Sequence, residues 1–167
     1  MNKQPFLESY GGQTIQQLIA MKDSYRIDSL VLAVEQALGS KPETELSEPE
    51  RVVLAVEAME REVNNGGYEQ FFGNSSREFT GFLVRALELI GCPKCAAISA
   101  DAISVLELPE QFDADTVEQV ASELSDKSRE RLNACDSRYY ENDESIEQRL
   151  FAYIEQHQHE IQIPHVV

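Results

Sequence analysis

Cys92-Pro93-Lys94-Cys95 is the stretch whose residue types and spacing could do covalent chemistry. A proline in the first turn starts a helix, and a thiolate at a helix N-terminus beside a lysine is stabilised. The pattern therefore predicts a lowered thiol pKa and, as a function, a thiol oxidoreductase pair. A thioredoxin-like setting needs strands around the motif, yet no segment alternates with period two for long enough to make one. The competing reading is that Pro93 opens a helix and one cysteine packs in the core. A metal site would need the pair plus Cys135 or a histidine, and no second paired spacing exists. His157 and His159 stand two apart, about 200° around a helix, so they do not share an ion. The chain has no Gly-rich phosphate loop after a strand, no Gly-x-Ser-x-Gly elbow and no His-Glu-x-x-His. The expectation is a protein that is not an enzyme and uses neither metal nor cofactor.

Carboxylates are the other candidate chemistry. The 167 residues include 30 Asp and Glu against 14 Lys and Arg, a formal net charge of -16. Such a surface repels nucleic acid and anionic lipid and attracts basic proteins, so direct nucleic-acid binding is disfavoured. The charge is concentrated. From Ala96 to Asp126 there is no lysine or arginine, while Asp101, Glu107, Glu110, Asp113, Asp115, Glu118, Glu123 and Asp126 fall in that segment. Glu43, Glu45, Glu48 and Glu50 form a second group at a helix entrance, where carboxylates also favour the positive end of the helix dipole. Solubility alone accounts for many acidic surfaces. Carboxylates three or four residues apart on a helix stand ~5 to 6 Å apart at their stems, comparable to neighbouring phosphates. Sixteen of them facing one way would match roughly 27 Å of duplex, at one charge per ~1.7 Å.

The elements that must hold these residues are all helical. A length of 167 residues with 42% hydrophobic content suits one domain with a core. The spacing predicts a lead-in over 1–12, a helical domain over 13–160 and a tail over 161–167. Ile15, Leu18 and Ile19 begin the first helix. Ile27, Leu30, Val31, Val34 and Leu38 follow on a second, with Ser24 as its cap and Gly39 as its stop. Ser47, Pro49 and Glu50 supply an N-cap, a first-turn proline and a capping-box partner for a third helix through Val52, Val56, Met59 and Val63. Further helices open at Cys92-Pro93, at Asp115 as cap, across 127–142, and after Asn142-Asp143 with Ile146, Leu150, Phe151 and Ile154 inward. The total is about seven to nine helices in one compact all-α domain. No apolar run is long enough to cross a bilayer and no signal-peptide core is present, and three cysteines make no disulfide framework, so the expected location is cytoplasmic.

Between the third helix and Cys92 lies the hub, Asn64-Asn65-Gly66-Gly67-Tyr68, then Gln70-Phe71-Phe72 and Asn74-Ser75-Ser76. Asn65 and Gly66 stand where a helix ending in a left-handed residue wants them. Ser75 and Glu78 match a capping box, so the next helix is expected from about Arg77 to Gly91. Tyr68, Phe71 and Phe72 read as core. The hub can also be read as a pocket in which amides and backbone N–H groups cradle a small anion.

This hub, with the downstream Ala86-Leu87 and Ile90-Gly91, resembles the bacterial DNA-mimic protein family. The motif spans about thirty residues, and Asn-Ser placed seven residues after the second glycine is not a generic helix signature. Cys-Pro-Lys-Cys after Gly91 departs from the family pattern. The resemblance implies a small, acidic, mostly helical protein that presents carboxylates to a DNA-binding partner, and a possible homodimer, as for the founding member. The expected function is competition with DNA for a transcription factor or nucleoid protein, with 101–126 as the contact surface and 43–50 as a second patch. The alternatives are an acidic inhibitor or immunity protein against a basic nuclease or toxin, and the Cys92–Cys95 oxidoreductase.

Overall fold

Apolar stripes at helical spacing fold into eight α-helices, and no strand occurs among the described residues, 3–164 of a computed structural model. The helices are α1 (Ile15–Ala20), α2 (Ile27–Leu38), α3 (Glu48–Gly73), α4 (Leu83–Leu89), α5 (Pro93–Val105), α6 (Ala114–Ser122), α7 (Asp126–Glu141) and α8 (Ile146–Gln156), with 3₁₀ turns at Glu43–Glu45 and Ser75–Phe79. The all-α expectation holds. None of these helices is long and apolar enough to cross a membrane. The chain divides into two compact units, one of the residues up to Glu57 together with those from Ser145 onward, the other Ala58–Glu144.

In the first unit α2 packs against α1 and α8. Leu30, Val31, Val34 and Leu38 are buried, as are Leu150, Phe151 and Ile154 of α8 and Val52, Val53 and Val56 of α3. Thr14 and Gln17 form a capping box on α1. Ser24 does not cap α2; Arg26 stands at that position, and its guanidinium bonds to Asp28 instead of capping the helix. The lead-in is tied to α2, because Arg26 N–H donates to Pro5 O at 2.9 Å and Leu7 N–H donates to Ser29 Oγ at 3.0 Å. In the expected tail Ile161 is buried, and 165–167 lie outside the described residues, as do residues 1 and 2 of the lead-in.

The predicted Ser47–Glu50 box is present. Glu50 N–H donates to Ser47 Oγ at 3.3 Å, and Ser47 N–H donates to Glu50 Oε2 at 2.9 Å. Glu50 does more than cap. It is fully buried, and its carboxylate also accepts from Lys41 Nζ at 2.8 and 2.7 Å and from Gln162 N–H at 2.6 Å. That one group joins the polar connection, the start of α3 and the C-terminal segment.

In the second unit α5 packs on α4 and α7, and α6 lies on the 3₁₀ turn. The first part of α3 ends at Asn65-Gly66, as its sequence suggests, but a second helical segment follows at once instead of a start near Arg77. The backbone leaves helical geometry at Gly66 (φ -153°, ψ 17°) and Gly67 (φ 78°, ψ -175°), then α3 resumes to Gly73. The Ser75–Glu78 box does not form. Asn74 precedes the 3₁₀ turn without capping it, and α4 starts only at Leu83. The neighbouring hydroxyl is already committed, since Ser76 Oγ donates to Phe71 O at 2.7 Å.

Candidate functional site

The hub is a structural corner. Tyr68, Phe71 and Phe72 are fully buried, and the Phe71 and Phe72 rings meet edge to face with centroids 5.5 Å apart. Burial alone would strand the polar atoms, so each finds a partner. Tyr68 Oη shares a 2.8 Å hydrogen bond with Ser99 Oγ, and burial pushes the Tyr68 phenol well above its usual range. Asn64 Nδ2 donates to Tyr139 Oη at 3.1 Å, which itself donates to Glu60 Oε1 at 3.1 Å. Gln70 Nε2 and Asn74 Nδ2 both donate to Glu62 Oε2, at 2.7 and 2.8 Å. The restarted helix exposes a backbone N–H at Tyr68, and Asp136 Oδ1 accepts it at 2.8 Å. Asn65 and Ser75 are exposed. The anion-cradle reading loses its donors, because the Tyr68 N–H and the Asn64, Gln70 and Asn74 amides already face protein acceptors.

The Cys-Pro-Lys-Cys turn keeps its predicted helix start, with Cys92 at the N-cap and Pro93 in the first turn of α5. Its electrostatics run opposite to expectation. The Glu144 carboxylate occupies the helix N-terminus, accepting Lys94 N–H and Cys95 N–H at 2.9 Å each, and Lys94 Nζ donates to Asp143 Oδ1 at 2.7 Å. Burial first, then Cys92 and the carboxylates of Glu144 and Glu60, push the Cys95 thiol up, away from the thiolate. All three cysteines are buried. Among the described residues no three His, Cys, Asp or Glu side chains gather as a metal site. His157 follows the end of α8 and pairs with Glu160 at 2.9 Å.

The acidic segment from 101 to 126 faces solvent. Asp101, Glu107, Glu110, Asp113, Asp115, Glu118, Glu123 and Asp126 are all exposed. They come from the outer side of α5, the loop after it, α6 and the first residue of α7. Val117 and Ala121 turn inward from α6, which leaves its charged side out. Three of the eight have local duties. Asp113, not Asp115, caps α6: its Oδ1 accepts Thr116 N–H at 2.9 Å and the Thr116 hydroxyl at 2.8 Å, and these bonds lower its pKa. Asp101 pairs with Arg138 at 2.6 Å and Glu118 with Arg77 at 2.9 Å. Asp126 lies 4.0 Å from Arg129, too loose a contact to count for much. Glu107, Glu110, Asp115 and Glu123 have no ion pair among the described residues. Glu107 also sits in the left-handed region (φ 49°), where it ends α5.

In the other unit Glu43, Glu45 and Glu48 are exposed, but Glu50 is not. Expecting all four at a contact surface is corrected for Glu50, whose carboxylate is consumed by Lys41 and backbone donors. Sequence reasoning also missed Arg77, whose guanidinium joins Gly73 O at 3.2 Å to Glu118 and so fixes α6 beside the hub. The pair is forty-one residues apart and left no local signal.

These features define an acidic, all-helical protein with a long cation-free segment turned to solvent. The family model described as DMP19-like protein matches residues 44–157, well over half the chain, and the chain belongs to that family, one of DNA-mimic proteins. None of the curated proteins and none of the solved structures compared matches it.

Proposed function

We propose that the protein binds the positively charged DNA-binding surface of a transcription factor or nucleoid protein and competes with DNA for it. The observation that carries this reading is the exposure of all eight carboxylates between 101 and 126, in a segment without one lysine or arginine. Family membership supports it. The mechanism is non-enzymatic: carboxylates occupy the places of phosphates, and counterions leave the basic surface much as they do when DNA binds. Glu43, Glu45 and Glu48 add charge as a second patch. A cytoplasmic location and a homodimer accompany this reading.

Competition at equilibrium tests it. A fluorescent duplex bound to its own DNA-binding protein, recovered from the native lysate at low salt, is titrated with this protein. Displacement is expected, with log affinity falling linearly and steeply against log salt. Retention of the duplex at every ratio, or affinity indifferent to salt, would sink the proposal. Displacement of substrate from a basic nuclease alone would move the function to inhibition of that enzyme.

A further inference from the structure

The C-terminal segment of the first unit is anchored along one edge. Gln162 N–H donates to the buried Glu50 carboxylate at 2.6 Å, and Gln162 O accepts from Lys41 Nζ at 3.4 Å. Two residues back, Glu160 O accepts from Ser47 Oγ at 2.8 Å. Residues 161–164 form no helix or turn, and their exposure alternates: Ile161 is buried, Gln162 exposed, Ile163 half-buried and Pro164 exposed. That is the period of a strand, in which neighbouring residues turn their N–H and C=O groups to opposite edges. With those of Gln162 spent on Glu50 and Lys41, the N–H and C=O of Ile161 and of Ile163 share the other edge. None of these four groups has a partner among the described residues. Pro164, which has no N–H, ends the edge.

The same segment lines a groove of about 430 Å³, together with Tyr10 and residues 13–16. Among the described residues its lining has no Asp, Glu, Lys or Arg, although 26% of the chain is charged. Without a cation it does not hold a phosphate, and without a carboxylate it does not select a basic segment. It offers two donors and two acceptors at strand spacing, apolar surface from Tyr10 and Ile163, and the exposed amides of Gln16 and Gln162. Those complement the backbone of an extended, neutral chain. Glu50, Lys41 and Ser47 hold the edge in place before anything binds, so pairing does not have to order it. We infer that Ile161 and Ile163 pair with an extended, uncharged segment of another protein, which adds as a second strand along the groove. The inference does not rest on the mimic reading, whose 101–126 segment belongs to the other unit.

The probe is the peptide acetyl-Val-Thr-Val-Thr-Val-amide titrated into the ¹⁵N-labelled full chain. Its control is the same peptide N-methylated at every residue, which keeps the side chains and cannot donate from its backbone. Expected are saturable shifts of the Ile161 and Ile163 amides, with binding roughly tenfold weaker for the methylated peptide. Ile163→Pro removes one donor from the edge and should weaken the parent peptide by a similar factor, whereas Glu110→Gln, in the other unit, leaves it unchanged. The methylated peptide needs no variant, so the comparison stands even where Ile163→Pro disturbs the fold. An equal response to the methylated peptide, or shifts that bypass residues 161 and 163, would overturn the inference. Shifts at those two amides on concentrating the protein alone would give the groove to a second copy of the chain and overturn the foreign strand as its occupant.

Discussion

Asp136 holds the restart of α3 with both of its oxygens: Oδ1 accepts the Tyr68 N–H at 2.8 Å, and Oδ2 fills the space that a Cβ on Gly67 would enter. The two residues explain one another. A helix interrupted at Gly66 and Gly67 must begin again with unbonded N–H groups, and a carboxylate from α7 supplies what a local cap would otherwise provide. The approach is close enough that only glycine fits at 67.

Gly67→Ala should therefore be costly. At φ 78° and ψ -175° the position is essentially glycine-only, so strain of about 1 to 3 kcal/mol adds to the displacement of Asp136. Gly66 is different, since its φ of -153° suits any residue and the obstacle is the flexible end of Gln70. Urea denaturation is expected to show Gly67→Ala losing about 3 kcal/mol or more and Gly66→Ala about 1. Equal losses would contradict the Asp136 account.

Asp136 also predicts a pH signature. Burial raises its pKa above the ordinary 3.8, the Tyr68 N–H lowers it and Glu69 raises it. The folded state thus holds this proton more tightly than the unfolded chain does. Its stabilising contribution is fully present below 3.8 and is lost as pH rises through the raised folded value. Asp136→Asn keeps an acceptor for Tyr68 and cannot ionise. Stability measured against pH should show the wild type losing ground to Asp136→Asn as pH rises from that of a free carboxyl toward neutrality. Asp113, with its lowered pKa, runs the other way, losing its contribution as pH falls through the depressed value, and it is common to both proteins.

Residue spacing revealed what was local. The Ser47–Glu50 box formed because both partners lie within one turn and nothing else competes for Ser47 N–H. Ser75 and Glu78 carry the same spacing, but the chain takes a 3₁₀ turn that Ser75 already belongs to, with Asn74 at the cap position. Asp113 and Asp115 are equivalent as caps by residue type. Thr116, which gives Asp113 two donors, decides between them. The cysteine turn misled for a long-range reason: Glu144, forty-nine residues from Cys95, sits where the helix dipole would have stabilised a thiolate. Core positions such as Phe72 and Leu150 follow from periodicity, whereas contacts between α3 and α7 leave no periodic trace.

Glu50 separates a structural carboxylate from the surface ones beside it. Its charge is compensated by Lys41, whose side chain is 13% exposed, and by the Ser47 and Gln162 N–H groups. Glu50→Ala would leave that ammonium and those donors unpaired, a loss of about 3 to 5 kcal/mol in chemical denaturation. Glu45→Gln, on an exposed site, should stay within about 0.5 kcal/mol. If Glu50→Ala is as mild as Glu45→Gln, the buried pair is not holding the C-terminal segment.

The acidic segment allows charge to be separated from fold, which a test of mimicry needs. Asp113→Asn weakens a cap and removes a charge, so its effect on partner binding is ambiguous. Glu110→Gln and Glu123→Gln remove charge where the structure shows no pairing, and each should leave the melting temperature unchanged while lowering partner affinity and flattening its salt dependence. Glu107 offers the sharpest case. Its left-handed backbone favours glycine, so Glu107→Gly should stabilise the fold by about 0.5 to 1 kcal/mol, and under the mimic reading it should still weaken binding. A variant that is more stable and binds less well can owe its lost affinity only to the missing carboxylate. If Glu107→Gly is more stable and binds equally well, position 107 does not contact the partner.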